Sequence, residues 1–113
     1  MDDNEEWLDK TGQFLDGSGL KSELLTWEDY KVTHTGHDVA CYDLGGGDVR
    51  ERGMELVARR TRPGGVILFD DAHHDGHRRQ MVDIAERFRW DLFFLQDLTT
   101  DSYGRFGALM VRP

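Results

Sequence analysis

The sequence contains few of the residues that form covalent cross-links, and no long apolar run. Cys41 is the single cysteine among 113 residues, which excludes an internal disulfide and a cysteine-based zinc site. Cys41 lies in an apolar run, so we expect a buried small side chain rather than a nucleophile. No run approaches the roughly 20 apolar residues that span a bilayer. The acidic start of the chain is not a signal peptide, and we expect a cytoplasmic protein.

Basic residues are also scarce. The 14 Lys and Arg residues are outnumbered by 22 Asp and Glu residues, which gives a net charge of −8. Nonspecific binding to nucleic acids or to membrane surfaces needs a basic patch. We therefore expect no nucleic-acid or membrane partner. The length suits one domain, residues 1–113, and no internal repeat is visible.

The most informative stretch runs from Arg62 to His74. Pro63 cannot continue a helix, and the two glycines after it allow a sharp reversal. Val66–Phe69 is wholly apolar, which is typical of a strand covered on both faces in a parallel sheet. In open α/β sheets, ligands bind just beyond the carboxyl ends of the strands. Chemistry is therefore expected at the polar residues that follow this strand: Asp70, Asp71, His73 and His74.

Apolar periodicity predicts further elements on either side of this strand. We expect helices at Glu5–Leu15, Val49–Arg60 and Asp75–Arg87, and strands at Glu23–Thr26, Val39–Leu44, Trp90–Leu95 and Phe106–Val111. The rest is predicted as connection, including residues 27–38 and 97–105.

The order of these elements predicts the topology of the sheet. Alternation of strands and helices predicts parallel strands, whereas the last connection is too short for a helical crossover and predicts an antiparallel pair. Val66–Phe69 should be central, with Val39–Leu44 parallel on one side and Phe106–Val111 antiparallel on the other. Leu92–Leu95 should lie outside that last strand.

These features together resemble a known family. A strand ending in Asp43, a helix, Arg62-Pro63-Gly64-Gly65, an apolar strand ending in Asp70-Asp71, a helix and a terminal antiparallel pair resemble the second half of a class I S-adenosylmethionine-dependent methyltransferase. Small-molecule O-methyltransferases of the macrocin or catechol kind are the most similar. The resemblance implies an α/β, Rossmann-like sheet, mostly parallel with an antiparallel C-terminal strand. It also implies S-adenosylmethionine as cofactor and O-methylation of a small molecule.

The chain departs from the family at its start, because the family's first two strands and its glycine-rich cofactor turn have no counterpart. We therefore expect an N-terminally truncated, partial methyltransferase domain that is weakly active or inactive alone. The resemblance implies cofactor contacts at Asp2, Trp27, Glu28, Asp43 and Gly45. The alternatives are that Trp27 is a core aromatic residue and that Gly45 belongs to a flexible turn.

Asp43, Asp70 and Asp71 form the sharpest chemical pattern, because they end strands that should be neighbours. Carboxylates suit a hard cation such as Mg²⁺, which would lower the pKa of a substrate hydroxyl. The resemblance agrees, since cation-dependent members of the family hold their metal with acids at these strand ends. The alternative is that the three residues cap helices and turns.

The histidines form a second pattern. His73 is the best candidate for the general base that takes the substrate proton, and His77 lies four residues further on. The alternative is a solvated helix start, which we favour for His77.

Two rival functions stay open. One is a non-catalytic interaction module that completes its sheet with a partner's strands, and the other is a metal-dependent hydrolase that uses the Asp and His residues. The apolar edge of Val39–Leu44 also favours a homo-oligomer.

Overall fold

The computed structural model describes residues 5–19, 25–33, 36–43 and 48–113. The chain forms two compact units, residues 1–34 and 35–113. The first unit contains helices α1 (Glu5–Gly17) and α2 (Trp27–Val32). The second contains, in order, β1 (His37–Tyr42), α3 (Asp48–Arg60), β2 (Thr61–Phe69), α4 (Asp75–Phe88), β3 (Asp91–Phe94), α5 (Gln96–Thr99) and β4 (Ala108–Val111).

Helix α2 was not predicted, because residues 27–38 were assigned to a connection. The helix begins with a capping box in which the Thr26 hydroxyl accepts the backbone N–H of Asp29 at 3.2 Å, while the Asp29 carboxylate accepts from Thr26. This exchange satisfies backbone donors at the helix start. Thr26 is therefore a helix cap, and part of the predicted strand Glu23–Thr26 lies outside the described residues.

The sheet confirms the predicted topology. Its strand order is β1-β2-β4-β3, with β1 parallel to β2 and β4 antiparallel to both of its neighbours. Val66–Phe69 is central, because these residues pair with residues 39–42 on one side and with Ala108–Val111 on the other. Strands β3 and β4 are shorter than predicted, whereas β1 and β2 begin earlier than predicted, at His37 and Thr61. Leu44 lies outside the described residues.

The predicted turn at Pro63 is an irregularity inside β2. His37 pairs with Thr61 and Val39 pairs with Val66, so one intervening residue of β1 lies opposite four residues of β2. A Cβ atom on Gly65 would lie 2.8 Å from the carbonyl oxygen of Arg62 and 2.9 Å from that of Asp38. The backbones therefore approach each other too closely at this position for any residue but glycine.

Among the described residues of the second unit, the buried side chains of the strands lie on one face of the sheet, which corrects the expectation that β2 is covered on both faces. Ile67 and Phe69 are buried, whereas Leu68 between them is 40% exposed. Both crossovers, β1-α3-β2 and β2-α4-β3, run in the same direction across the sheet. Because such crossovers are right-handed, they place both helices on one face. The buried helical side chains on that face include Met54, Val57, Ala58, Met81, Ile84 and Ala85.

Cys41 lies on the same face of the sheet as Leu68. Cys41 is exposed and pairs with Leu68, so the prediction of a buried cysteine was wrong. Alternate residues of a strand point to opposite faces, and Cys41 lies on the face opposite helices α3 and α4. Helix α5 was also not predicted, because part of it lies in residues 97–105, which were predicted as a connection. None of the helices in the described part of the chain has the length and apolar character needed to cross a bilayer.

Candidate functional site

The candidate site lies where the carboxyl ends of the parallel strands β1 and β2 meet the beginning of β4. A cavity of about 360 Å³ opens there. Asp43, which follows β1, and Asp70, which follows β2, both line it. The N–H of Asp70 donates to the carbonyl of Tyr42 at 3.1 Å, which holds the two strand ends side by side.

The three predicted metal ligands come together at this edge. One carboxylate oxygen from each of Asp43, Asp70 and Asp71 lies within 4.8 Å of the others. Asp71 adopts a left-handed backbone conformation with φ of 56°, and its N–H donates to the Asp70 carboxylate at 2.8 Å. The sequence prediction that strand-end carboxylates converge is therefore confirmed in placement. Their role as metal ligands stays a prediction.

Arg50 lies among these carboxylates and was missed in the sequence. Its Nη2 binds the Asp43 carboxylate at 2.7 Å, and its Nη1 binds the Asp71 carboxylate at 2.9 Å. Only 9% of its side chain is exposed. The hydrogen bond from Arg50 lowers the pKa of Asp71, although partial burial opposes that shift. The only sequence signal was a cation in the first turn after the Asp43 loop, where an arginine normally indicates a solvated helix face.

The histidines lie on the other side of Asp71. His73 Nδ1 lies 3.7 Å from the Asp71 carboxylate, and that nitrogen is buried with no hydrogen-bond partner among the described residues. The rings of His73 and His74 are 4.1 Å apart, and His74 precedes the first residue of α4. His73 does not line the cavity.

His77 is less solvated than the sequence suggested. It is partly buried, and its Nδ1 lies 3.5 Å from Nη1 of Arg50. Burial and the nearby guanidinium lower the pKa of His77, so the neutral imidazole is favoured.

The chain between α5 and β4 forms another wall of the cavity. Asp101 and Arg105 both line it and form an ion pair at 2.7 Å. The Thr99 hydroxyl accepts the N–H of Gly107 at 3.0 Å, which ties α5 to the start of β4. This segment, predicted only as a connection, therefore contributes to the rim of the cavity.

The predicted cofactor contacts outside this edge have mixed outcomes. Asp2 and Gly45 lie outside the described residues. In the first unit, Trp27 is buried and stacks on Tyr30 at 5.9 Å between ring centroids, which agrees with a core aromatic residue. Glu28 is exposed and forms an ion pair with Lys31 at 2.6 Å. Their contact with a cofactor stays a prediction.

Comparisons with known proteins identify the fold. No family model and no curated protein matches the chain. An rRNA methylase from Streptococcus thermophilus is similar in structure with a TM-score of 0.77 and 20% identity, over 98% of this chain and 70% of that one. A candidate methyltransferase from Streptococcus mutans in complex with SAH is similar with a TM-score of 0.72 and 15% identity, over 99% of this chain and 73% of that one. An O-methyltransferase from Bacillus cereus in complex with SAH is similar with a TM-score of 0.67 and 18% identity, over 97% of this chain and 60% of that one. The chain thus has the Rossmann-like fold of methyltransferases and spans part of the length of each.

Proposed function

We propose that this chain takes part in S-adenosylmethionine-dependent methyl transfer to an oxygen atom of a small molecule. The observation that carries the proposal is the antiparallel insertion of β4 between β2 and β3, beside a cavity at the carboxyl edge of β1 and β2. Solved methyltransferases share this fold, and two of the similar structures contain SAH. Fold alone does not determine function, so the chemistry of the edge has to support the proposal.

The charge of the cavity supports a cationic ligand. Three carboxylates, those of Asp43, Asp70 and Asp101, line it. Among the described residues Arg105 is the lining cation and pairs with Asp101, and Arg50 pairs with Asp43 from outside the lining. A concave site with an excess of carboxylates raises the local concentration of cations. S-adenosylmethionine, when bound, supplies an electrophilic methyl group on a positively charged sulfur. The negative charge of the site is therefore complementary to the positive charge of the cofactor.

The size of the cavity and the charge of the chain support a small acceptor. Small-molecule sites have volumes of roughly 300–1,000 Å³, and this cavity of about 360 Å³ falls in that range. A nucleic-acid acceptor requires cationic contacts with phosphates. The net charge of −8 opposes such contacts.

His73 is the proposed general base. Its Nδ1 lies 3.7 Å from the Asp71 carboxylate, beyond hydrogen-bond distance, so a negative charge lies beside the ring. Among the described residues Asp70 is the alternative base, because it lines the cavity directly.

Titration calorimetry with S-adenosylhomocysteine, without added metal, tests the proposal. We expect saturable binding that Asp43→Asn weakens. His73→Gln should keep this binding and lower methyl transfer. Asp91→Asn is the matched control, because Asp91 begins β3 at the opposite edge of the sheet and should leave binding unchanged.

The absence of S-adenosylhomocysteine binding would contradict the proposal. Binding of Mg²⁺ or Zn²⁺ alone would then favour a metal-dependent hydrolase, and binding of neither would favour an interaction module.

A further inference from the structure

We propose that the Arg50 guanidinium takes the place of a divalent cation among Asp43, Asp70 and Asp71, so that this edge functions without Mg²⁺. This inference rests on the proposed function in one respect only, namely that methyl transfer is the reaction that proceeds without a metal. The binding of cations to this edge is a separate property and can be measured separately.

The geometry puts Arg50 in direct competition with a metal. The three carboxylates lie close enough to share one cation, and Arg50 already binds Asp43 at 2.7 Å and Asp71 at 2.9 Å. The third carboxylate, Asp70, accepts the N–H of Asp71 instead. Mg²⁺ requires oxygen ligands at about 2.0–2.1 Å in nearly ideal octahedral geometry. Two of its three candidate protein ligands are therefore directed at a guanidinium.

Displacing Arg50 would be unfavourable. Its side chain is 9% exposed, and arginine stays protonated in proteins. Removing the carboxylate partners of a buried cation leaves an uncompensated charge, which is strongly destabilising. A divalent cation would also be repelled by the guanidinium beside it. The carboxylate set therefore does not fit Mg²⁺ while Arg50 is in place.

Arg50 is accordingly a positioning residue. From the first turns of α3 it reaches the residues that follow β1 and β2, and its planar fork holds one carboxylate on each. The Tyr42 hydroxyl donates to the carbonyl of Arg50, so the end of β1 also fixes the backbone that carries it. The guanidinium thereby supplies a fixed positive charge where the family resemblance implied a metal.

Titration of the full chain with Mn²⁺, followed by electron paramagnetic resonance of the free ion, tests the inference. We expect the wild-type chain to bind Mn²⁺ no more tightly than about millimolar. Arg50→Gln should gain a single Mn²⁺ site at least about tenfold tighter, because Asp43 and Asp71 are then released to bind the ion beside Asp70. Adding Asp70→Asn to that variant should remove the gain, and Arg50→Lys should not show it.

Arg59→Gln is the matched control. Arg59 lies on the same helix and binds Glu55 at 2.7 Å, away from the three carboxylates. This variant should bind Mn²⁺ as the wild type does. A purely structural role for Arg50 would predict loss of stability without a new cation site.

Two outcomes would overturn the inference. One is a wild-type chain that binds one Mn²⁺ with micromolar affinity, lost on Asp70→Asn. The other is a folded Arg50→Gln variant, judged by circular dichroism, that gains no Mn²⁺ site. The wild-type titration decides the matter even if Arg50→Gln does not fold. Failure of S-adenosylhomocysteine binding would leave this result unaffected.

Discussion

Asp71 joins the two polar clusters at the edge of the sheet. One of its carboxylate oxygens binds Arg50 at 2.9 Å, and the other lies 3.7 Å from His73 Nδ1. Its left-handed backbone conformation, uncommon for a residue other than glycine, directs the chain from the end of β2 into α4. The protonation state of this one side chain therefore affects both clusters.

Asp71 should contribute to stability in a pH-dependent way. Its pKa in the folded state lies below the ordinary value of 3.8, chiefly because Arg50 donates a hydrogen bond to it. The contribution is therefore fully present above the pKa of the unfolded state and is lost as the pH falls through the lower folded value. Urea melts between pH 7 and pH 2.5 should show wild type and Asp71→Asn converging in stability below about pH 4. A stability difference that is the same at both ends of this range would contradict the assignment.

At the scale of elements, the alternation of buried and exposed residues in β2 follows from the helices. Helices α3 and α4 cover the face that carries Ile67, whereas Leu68 lies on the opposite face and is 40% exposed. Neighbouring residues of one strand thus have different environments.

Ile67→Ala should cost about 2–5 kcal/mol of unfolding free energy, because it removes a fully buried side chain and leaves a cavity. Leu68→Ala is the matched control and should cost less than about 1 kcal/mol, since Leu68 is 40% exposed. Denaturant melts of both variants measure these costs. Equal losses would mean that both faces of β2 are covered in solution.

At the scale of the whole molecule, the edge strand β1 and the exposed apolar side chains of the sheet both favour association with another chain. In the described part of the chain, β1 pairs with β2 on one side, and Val39, the third residue of β1, is 62% exposed. Phe93 of β3 is also exposed, at the far side of the sheet. An edge strand that displays unpaired backbone groups and apolar side chains tends to pair with another chain. Association of two copies through β1 therefore remains our proposal for the partner.

Sedimentation velocity over a wide concentration range tests this association. We expect the mean sedimentation coefficient to rise with concentration, and Val39→Lys to prevent the rise, because a lysine blocks an edge strand. Val32→Lys is the matched control, since Val32 is an exposed valine on helix α2, with 73% of its surface accessible. A monomer at all concentrations, with slow amide exchange in β1, would count against the association.

The sequence by itself determined the order and direction of the strands. The apolar run Val66–Phe69 predicted the central strand, and the short connection before Phe106 predicted that β3 and β4 pair antiparallel. It also predicted that Asp43, Asp70 and Asp71 meet. Each of these conclusions depends on local periodicity or on connection length, which a single sequence displays directly.

Only the tertiary structure decided what surrounds those carboxylates and which face of the sheet is covered. Arg50 reaches Asp71, 21 residues away, because α3 starts beside the ends of β1 and β2, and no spacing in the sequence specifies that contact. Cys41 is exposed and Ile67 is buried because both helices cross on one side. Such contacts depend on the relative position of whole elements, which packing sets and local pattern does not.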